Sequence, residues 1–462
     1  MESIIRLSSL KISNIKNVKN GQVVMPNACR KHITYKNAEV LGLYGQNGSG
    51  KTAVIDTLYY LQKIMIGGIL ENEMVDYIDV NENHAEIAAD FVIFVKEVIY
   101  EVTYKIILQR DGNIANIARE TLSCAVNKDN SRSNKIMFMD YQRSDKRIFA
   151  PKKRLDEVVE ANIENKTDLI VAKKIAEKNN CSYVFGESSR EIFCRDYKND
   201  FKHCSEVIKA LFKFALQDLF VIRNTHSGVI SANFLLPMAF KIEQNQIGMK
   251  GDFAVPLIEP IVLNEERKKL LDTIVEQVNM VLFTIIPGMK ISVHNYGMQL
   301  MDSGENGYRV ELVSIQDCMP PIPIRMESEG IIKIISILNA LIQAFGNYSI
   351  CLAIDELDAG IFEYMLGELL DIFNKSAKGQ LIFTSHNLRA LEMLDKDSIM
   401  FSTVNPERRY IRMKNIKASN NLRDTYLRGI TLGGQDEVIY KETDSLRIAR
   451  AFRKAGRMIQ HE

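Results

Sequence analysis

Apolar and polar positions recur with two different periods along this chain, and the changes of period divide it into three stretches. Residues 10–18 (LKISNIKNV) alternate in the manner of an edge strand. Residues 38–45 (AEVLGLYG) form an apolar run that stops at a glycine loop, as a buried strand does. TAVIDTLYYLQKIM, 52–65, then has helical spacing. Residues 85–122 alternate repeatedly, and Asp111-Gly112-Asn113 among them predicts a hairpin turn. An antiparallel meander is expected there.

From about 125 to 290 the period changes to that of amphipathic helices. RLDEVVEANIENKTDLIVAKKIAEKNN, DFKHCSEVIKALFKFALQDLF and NEERKKLLDTIVEQVNMVLFTII read as three of them, separated by polar loops. None sustains heptads long enough for an extended coiled coil. Strand-like text resumes at MKISVHNYGMQLMD and YRVELVSI. Helix, strand, helix and strand follow at 328–345, 350–354, 361–374 and 380–384. The expected organisation is an α/β core built from 1–125 and 291–462, interrupted by a mostly helical insertion at 126–290. The last stretch ends in a basic helix. No internal repeat or low-complexity tract interrupts this pattern.

Composition narrows the class. A chain of 462 residues suggests two or three units, and 46% hydrophobic with 25% charged residues is ordinary for a soluble globular protein. A net charge of +1 argues against a protein that coats nucleic acid. Seven cysteines without a CxxC pair fit a reducing cytoplasm. The first twenty residues lack the apolar segment and cleavage site of a signal peptide. Residues 334–354 carry no charge and are long enough to span a bilayer, but GNYS within them is a turn signal and Asp355-Glu356 follows. Helix, turn and buried strand is the expected reading, with no membrane partner.

The chemistry lies at strand ends. GQNGSGKT, Gly45 to Thr52, matches the phosphate-loop pattern and stands between a predicted strand and a predicted helix. Glycines such as Gly45, Gly48 and Gly50 let the backbone N–H groups of the loop, those of Asn47 and Ser49 included, turn toward phosphate oxygens. Lys51 would neutralise the β- and γ-phosphates of ATP, and the Thr52 hydroxyl would ligate Mg²⁺. Cys351 to Ile354 form a second buried strand ending in Asp355, placed to hold the metal, and Glu356, placed to take a proton from attacking water. LIFTSHN, 381–387, ends a third strand at His386, read as a γ-phosphate sensor. A further puzzle is Ser328-Glu329-Gly330, which starts an apolar helix with a poor helix former. Serine suits the cap. The glycine implies that something approaches the backbone closely.

This order of motifs resembles the ABC-type ATPases, and LKISNIKNV resembles the first strand of their SMC and RecF branch. ESEGIIKII, DELDAGIFEYMLGELL and LGGQDEVIYKETD together look like the ABC/OLD-like ATPases of bacterial phage-defence and abortive-infection systems. The resemblance covers about 1–120 and 290–440. It implies an ABC-type head that dimerises with ATP and Mg²⁺ between subunits. Ser328 and Gly330 would take the signature role toward the partner's γ-phosphate, and Asp358 the D-loop position across the interface. Glu329 departs from the small residue usual between them. Gln142 and Gln217 are the candidates for the glutamine that watches Mg²⁺. The implied function is a nucleotide-gated switch in antiphage defence that controls a separate effector, a nuclease or toxin. The alternatives are a RecF- or SMC-like DNA-repair ATPase and a self-contained OLD-type nuclease.

Other features bear on those alternatives. Cys181, Cys194, His203 and Cys204 fit no metal-site spacing and are read as unrelated residues. ERRYIRMKNIK (407–417) and RIARAFRKAGR (447–457) are basic, so nucleic acid remains an allowed partner beside a protein-docking role. Asp436, Glu437, Glu442 and Asp444 form a short polar run after Gly433-Gly434, suited to a loop and not to a metal cage. The expectation is therefore a chain whose chemistry ends with ATP hydrolysis.

Overall fold

The computed structural model describes residues 3–29, 34–128, 131–224, 235–244, 247–301, 304–317, 319–413, 421–432 and 435–458. The chain opens with a hairpin of β1 (Ile4–Ile15) and β2 (Val18–Val24). Strand β3 (Glu39–Tyr44) leads into α1 (Lys51–Met65), and a short α2 (Met74–Tyr77) follows. The meander comprises β4 (His84–Val95), β5 (Val98–Asp111) and β6 (Ile114–Lys128), with β7 (Ser131–Arg132) and β8 (Ile136–Gln142) paired to β6. Asp111 pairs with Ile114, so Gly112 and Asn113 make the expected tight turn, Gly112 at φ +58°. β1 lies between β2 and β4. It is thus interior, correcting the edge assignment. The edge passes to β2, whose buried Val18 and Val23 alternate with solvated residues.

Helices α3 (Lys152–Ala161), α4 (Asn165–Asn179), α5 (Glu187–Phe193) and α6 (Phe201–Lys213) come next. The stretch read as one long helix from Arg154 is two, broken at 162–164. They pack on one another, and Val158, Leu169, Phe193 and Leu211 share one core with Tyr100 and Tyr104 of the meander. After a π-helical turn, Phe214–Asp218, the chain becomes β9 (Leu219–Ile222), where a helix was expected to run on. An apolar run of this length suits a helix and a buried strand equally. Parallel pairing with the strand that ends in Asp355 decides it.

A hairpin of β10 (Leu235–Gln244) and β11 (Ile247–Pro256) also falls in the stretch expected to be helical. Buried Leu236, Met238 and Phe240 give its alternation. Then come β12 (Ile261–Leu263), α7 (Glu265–Ile285), β13 (Met289–Leu300), β14 (Asn306–Gln316) and β15 (Ile322–Pro323), which form a second antiparallel sheet with α7 beside it. Asn264 caps α7 by accepting from the Arg267 N–H.

The final third alternates as expected: α8 (Glu329–Gly346), β16 (Cys351–Ile354), α9 (Glu363–Ser376), β17 (Gln380–Thr384), α10 (Ala390–Met393), β18 (Ile399–Ser402), β19 (Tyr410–Ile411), α11 (Leu422–Leu432) and α12 (Ser445–Met458). The core sheet has the order β19-β18-β3-β17-β16-β9, parallel except for β19. α8 is apolar and long enough to cross a membrane on composition alone, yet it packs between β10, β16 and α7. The fold is therefore an α/β P-loop head with an antiparallel meander set against a parallel core sheet.

One buried polar cluster joins the two sheets. The Gln380 side chain donates to the carbonyl of Leu7 (2.8 Å) and to Glu39 (2.8 Å), and accepts from the Leu7 N–H (2.9 Å). Burial pushes the Glu39 carboxyl up, against the pull of Arg6.

Candidate functional site

Because β3, β16 and β17 are parallel neighbours, their carboxyl ends open on one edge of the sheet, where such folds place ligands. The phosphate loop leaves β3 there. Gly45 has φ +149°, and a Cβ on it would lie 2.0 Å from Ser402 Oγ. Gly50 has φ +92° and caps α1. Both are positions that only glycine occupies without strain. The loop is braced from outside: Tyr410 donates to the Gly50 carbonyl (2.6 Å), Asn17 to that of Gly48, and Ser49 and Ser402 share a hydrogen bond of 2.5 Å. The Gln46 side chain accepts from the Lys441 N–H (3.0 Å).

Lys51 is 6% exposed, and its Nζ donates to the carbonyls of Gly45 (2.9 Å) and Gln46 (3.2 Å). Burial lowers its pKa, against the pull of Asp355, Glu356 and Asp358. These two carbonyls hold the ammonium at the loop.

The register Ile354↔Phe383 sets Asp355 beside Thr384. Thr384 Oγ1 donates to Asp355 Oδ1 (2.6 Å) and accepts from the Glu356 N–H (2.7 Å). Thr52 Oγ1 donates to the same Oδ1 at 3.4 Å. Asp355 is 1% exposed, and its Oδ2 has no hydrogen-bond partner among the described residues. A buried carboxylate oxygen left with open lone pairs is costly unless something occupies it. With the threonine hydroxyl beside it, this is an oxygen donor set suited to a hard divalent cation such as Mg²⁺.

Glu356 follows with φ +50°, a left-handed conformation rare for its residue type. It lines a cavity of about 420 Å³ together with Lys16, Asn17, Lys51, Thr52 and His386; Asn47, Gly48 and Gly50 form the loop side. The His386 N–H donates to Asp358 Oδ2 (2.9 Å), which ties the segment after β17 to the segment after β16. Burial and the Lys51 charge lower the His386 pKa from its ordinary value.

The edge thus brings together Gly45–Thr52, Asp355, Glu356, Asp358 and His386. Ser328 and Gly330 are not among the residues lining this cavity. Ser328 is exposed and accepts from the Ile331 N–H at 3.4 Å, capping α8. Gly330 has a reason within the chain: a Cβ there would lie 1.9 Å from the Gly360 carbonyl oxygen. The close approach expected at this glycine is therefore to backbone of its own chain. Neither glutamine candidate is at the edge. Gln142 ends β8 in the meander sheet. Gln217 precedes β9, whose opposite end, Ile222, accepts from the Asp355 N–H. The residue leaving β9 at the site is Arg223, which pairs with Asp56 (2.9 Å).

Several site residues escape the sequence patterns. Thr384 had a signal, a polar residue closing an apolar strand, but Ser385 and His386 beside it shared that signal. Asn17, in the turn between β1 and β2, and Tyr410, on β19, reach the loop from other parts of the chain and had none. Of the acidic run, Glu437 pairs with Arg408 (3.0 Å) and Asp444 caps α12 by accepting from Leu446 and Arg447. Gly433-Gly434 lies outside the described residues.

No protein-family model matches the sequence, and no curated protein does. Among solved structures, the chain is similar to an SMC head domain from Thermotoga maritima at 11% identity and TM-score 0.36, covering 88% of this chain and 99% of that one. It is similar to an Smc head domain with a coiled coil and joint from Pyrococcus yayanosii at 13% identity and TM-score 0.41, covering 92% and 100%. An SmcHead bound to the C-winged helix domain of ScpA aligns at 14% identity and TM-score 0.38, covering 88% and 96%. Likeness this low carries no functional weight.

Proposed function

We propose that the chain is an ABC-type ATPase head that hydrolyses ATP with Mg²⁺ and works as a nucleotide-gated dimer. The observation that carries this reading is the linked set Thr52, Asp355, Thr384 and Glu356, in which one buried carboxylate oxygen is left without a hydrogen bond beside the phosphate loop. Thr52 and Asp355 would hold Mg²⁺, which supplies charge for the phosphate oxygens. Lys51 would exchange its two carbonyl partners for phosphate oxygens. Glu356 would accept the proton of the attacking water, and His386 would face the γ-phosphate across the same cavity.

Ser328, the exposed cap of α8, has no share in its own chain's cavity. That arrangement suits a phosphate presented by a second subunit, with Asp358 close to the interface. The head is assembled from 1–125 and 291–462 together with β9, which the stretch 126–290 contributes to the core sheet. The cellular setting, a cytoplasmic switch in antiphage defence that holds or releases a separate effector, rests on the resemblance of the signature and D-loop segments. One observation favours the DNA-binding alternative: α12 exposes Arg447, Arg450, Arg453 and Lys454 along one short helix.

The test is complementation between subunits. Lys51→Ala should lose ATP affinity by roughly tenfold or more, the scale of a charge-assisted hydrogen bond. Ser328→Phe, at the exposed cap of α8, should keep ATP affinity and lose turnover. Mixed heterodimers of the two should recover one composite site. ATP titration, sedimentation and phosphate release measure these. Heterodimers that form without turnover would reject the shared-site dimer, and unchanged ATP affinity in Lys51→Ala would reject the phosphate-loop assignment.

A further inference from the structure

Beyond Glu329, α8 carries a single charged side chain, Lys333, set in an otherwise apolar run. Lys333 is 6% exposed. A buried ammonium is retained only where acceptors and opposite charges surround it. Here Nζ donates to the main-chain carbonyl of Glu356 at 2.5 Å, and the carboxylates of Asp358, Glu356 and Asp355 act on it. Burial lowers its pKa despite those three charges. Lys51 of α1 faces the same three carboxylates, so the cluster sits between two buried cations on different helices.

The backbone of Glu356 is consequently held at both of its polar groups. Its N–H donates to Thr384 (2.7 Å), and its carbonyl accepts from Lys333. A glutamate at φ +50° keeps that conformation only when its surroundings impose it. One turn earlier on α8, Gly330 abuts Gly360, at the other end of the same loop. The first turns of α8 therefore grip the segment 356–360 at both ends.

We infer that Lys333 is a positioning residue that holds Glu356 in its productive orientation and passes movement of the α8 N-terminus to the catalytic loop of the same chain. The inference rests on the ATPase reading above, in which that N-terminus meets the partner's phosphate. Each α8 then begins at one site of the dimer and steadies the glutamate of the other. Occupation of one site is communicated to the second through a helix and one ammonium.

The experiment uses the full chain and compares wild type, Lys333→Met and Lys333→Arg. ATP affinity is measured by equilibrium titration, and kcat, KM and the Hill coefficient by phosphate release. Lys333→Met is expected to lower kcat by roughly 10- to 100-fold. Its ATP affinity should stay within about twofold, and its Hill coefficient should fall toward one. Lys333→Arg should recover part of kcat, since a donor remains. Should Lys333→Met melt below assay temperature, Lys333→Gln replaces it, with the same loss confined to kcat. A cooperative wild type together with an unchanged Lys333→Met overturns the coupling and leaves the ATPase reading intact. An equal loss of affinity and kcat also overturns it, because a merely structural role predicts that. Wild type that neither binds nor hydrolyses ATP overturns the ATPase reading, and the coupling with it.

Discussion

The phosphate loop and the start of α8 both place a glycine beside a helix N-terminus, yet they are finished to different degrees. Around the loop, Tyr410, Asn17, Ser402 and Thr384 satisfy backbone and side-chain groups from four separate strands or turns. At α8 the hydroxyl of Ser328 makes one long bond of 3.4 Å and faces solvent. The first region is preorganised by the chain alone. The second is a cap that stabilises its helix modestly while leaving room for another contact. This difference teaches where the molecule invests rigidity: the loop is braced from several strands, whereas at α8 the bracing begins at Gly330 and Lys333 and leaves the Ser328 cap open.

The strongest way to probe the finished half is Glu356→Gln. It keeps the shape and removes the base, so turnover should fall by roughly 10²–10⁴-fold with ATP retained in a closed dimer. Single-turnover phosphate release with sedimentation checks this; ordinary turnover would dismiss Glu356 as the base.

A paired comparison tests the contrast in rigidity. Thr384→Val strips Asp355 of the nearer of its two hydroxyl donors and the Glu356 N–H of its acceptor, and should cost about 1–3 kcal/mol of stability without nucleotide. Ser328→Ala should cost about 0.5 kcal/mol, the low end for a cap, because its bond is long. Denaturant unfolding of both variants measures the difference. Equal losses would erase the distinction drawn between the two regions.

The smallest effect concerns pH. Folding lowers the His386 pKa from 6.5, chiefly by burial and then by the Lys51 charge. Between the folded value and 6.5 the unfolded chain binds more protons, so stability rises with pH through that window. The neutral form's advantage is complete above about 6.5 and is lost as the pH drops below it. His386→Asn should therefore show less acid loss between pH 7.5 and 5.5, by less than about 1 kcal/mol since the ring is partly exposed. Melting curves at the two pH values decide it.

Much of this site was legible because its signals are local. Gly45–Thr52 is contiguous, and Asp355-Glu356 ends an obvious buried strand. The same local reading misplaced β9 and missed the β10–β11 hairpin, since short apolar runs do not declare their period until pairing is known. It also gave Gly330 a partner in another subunit before the Gly360 contact within the chain was visible. Lys333 stood in plain view as the one charge inside an apolar helix. Only the packing of α8 against the end of β16 tells a buried cation from a snorkelling one.

The bracing of the phosphate loop has a consequence for how the molecule comes into being. Tyr410 reaches Gly50 across 360 positions of chain, and Leu7 meets Gln380 across 373. Contacts this distant in sequence form late, because the intervening chain must be gathered first. During synthesis the meander and α1 leave the ribosome long before β17 and β19 exist. Nascent chains stopped before residue 410 should therefore carry an intact GQNGSGKT segment and still fail to hold nucleotide. On the proposed ATPase reading, competence for nucleotide would come only once β17 and β19 have been made and have closed on the loop.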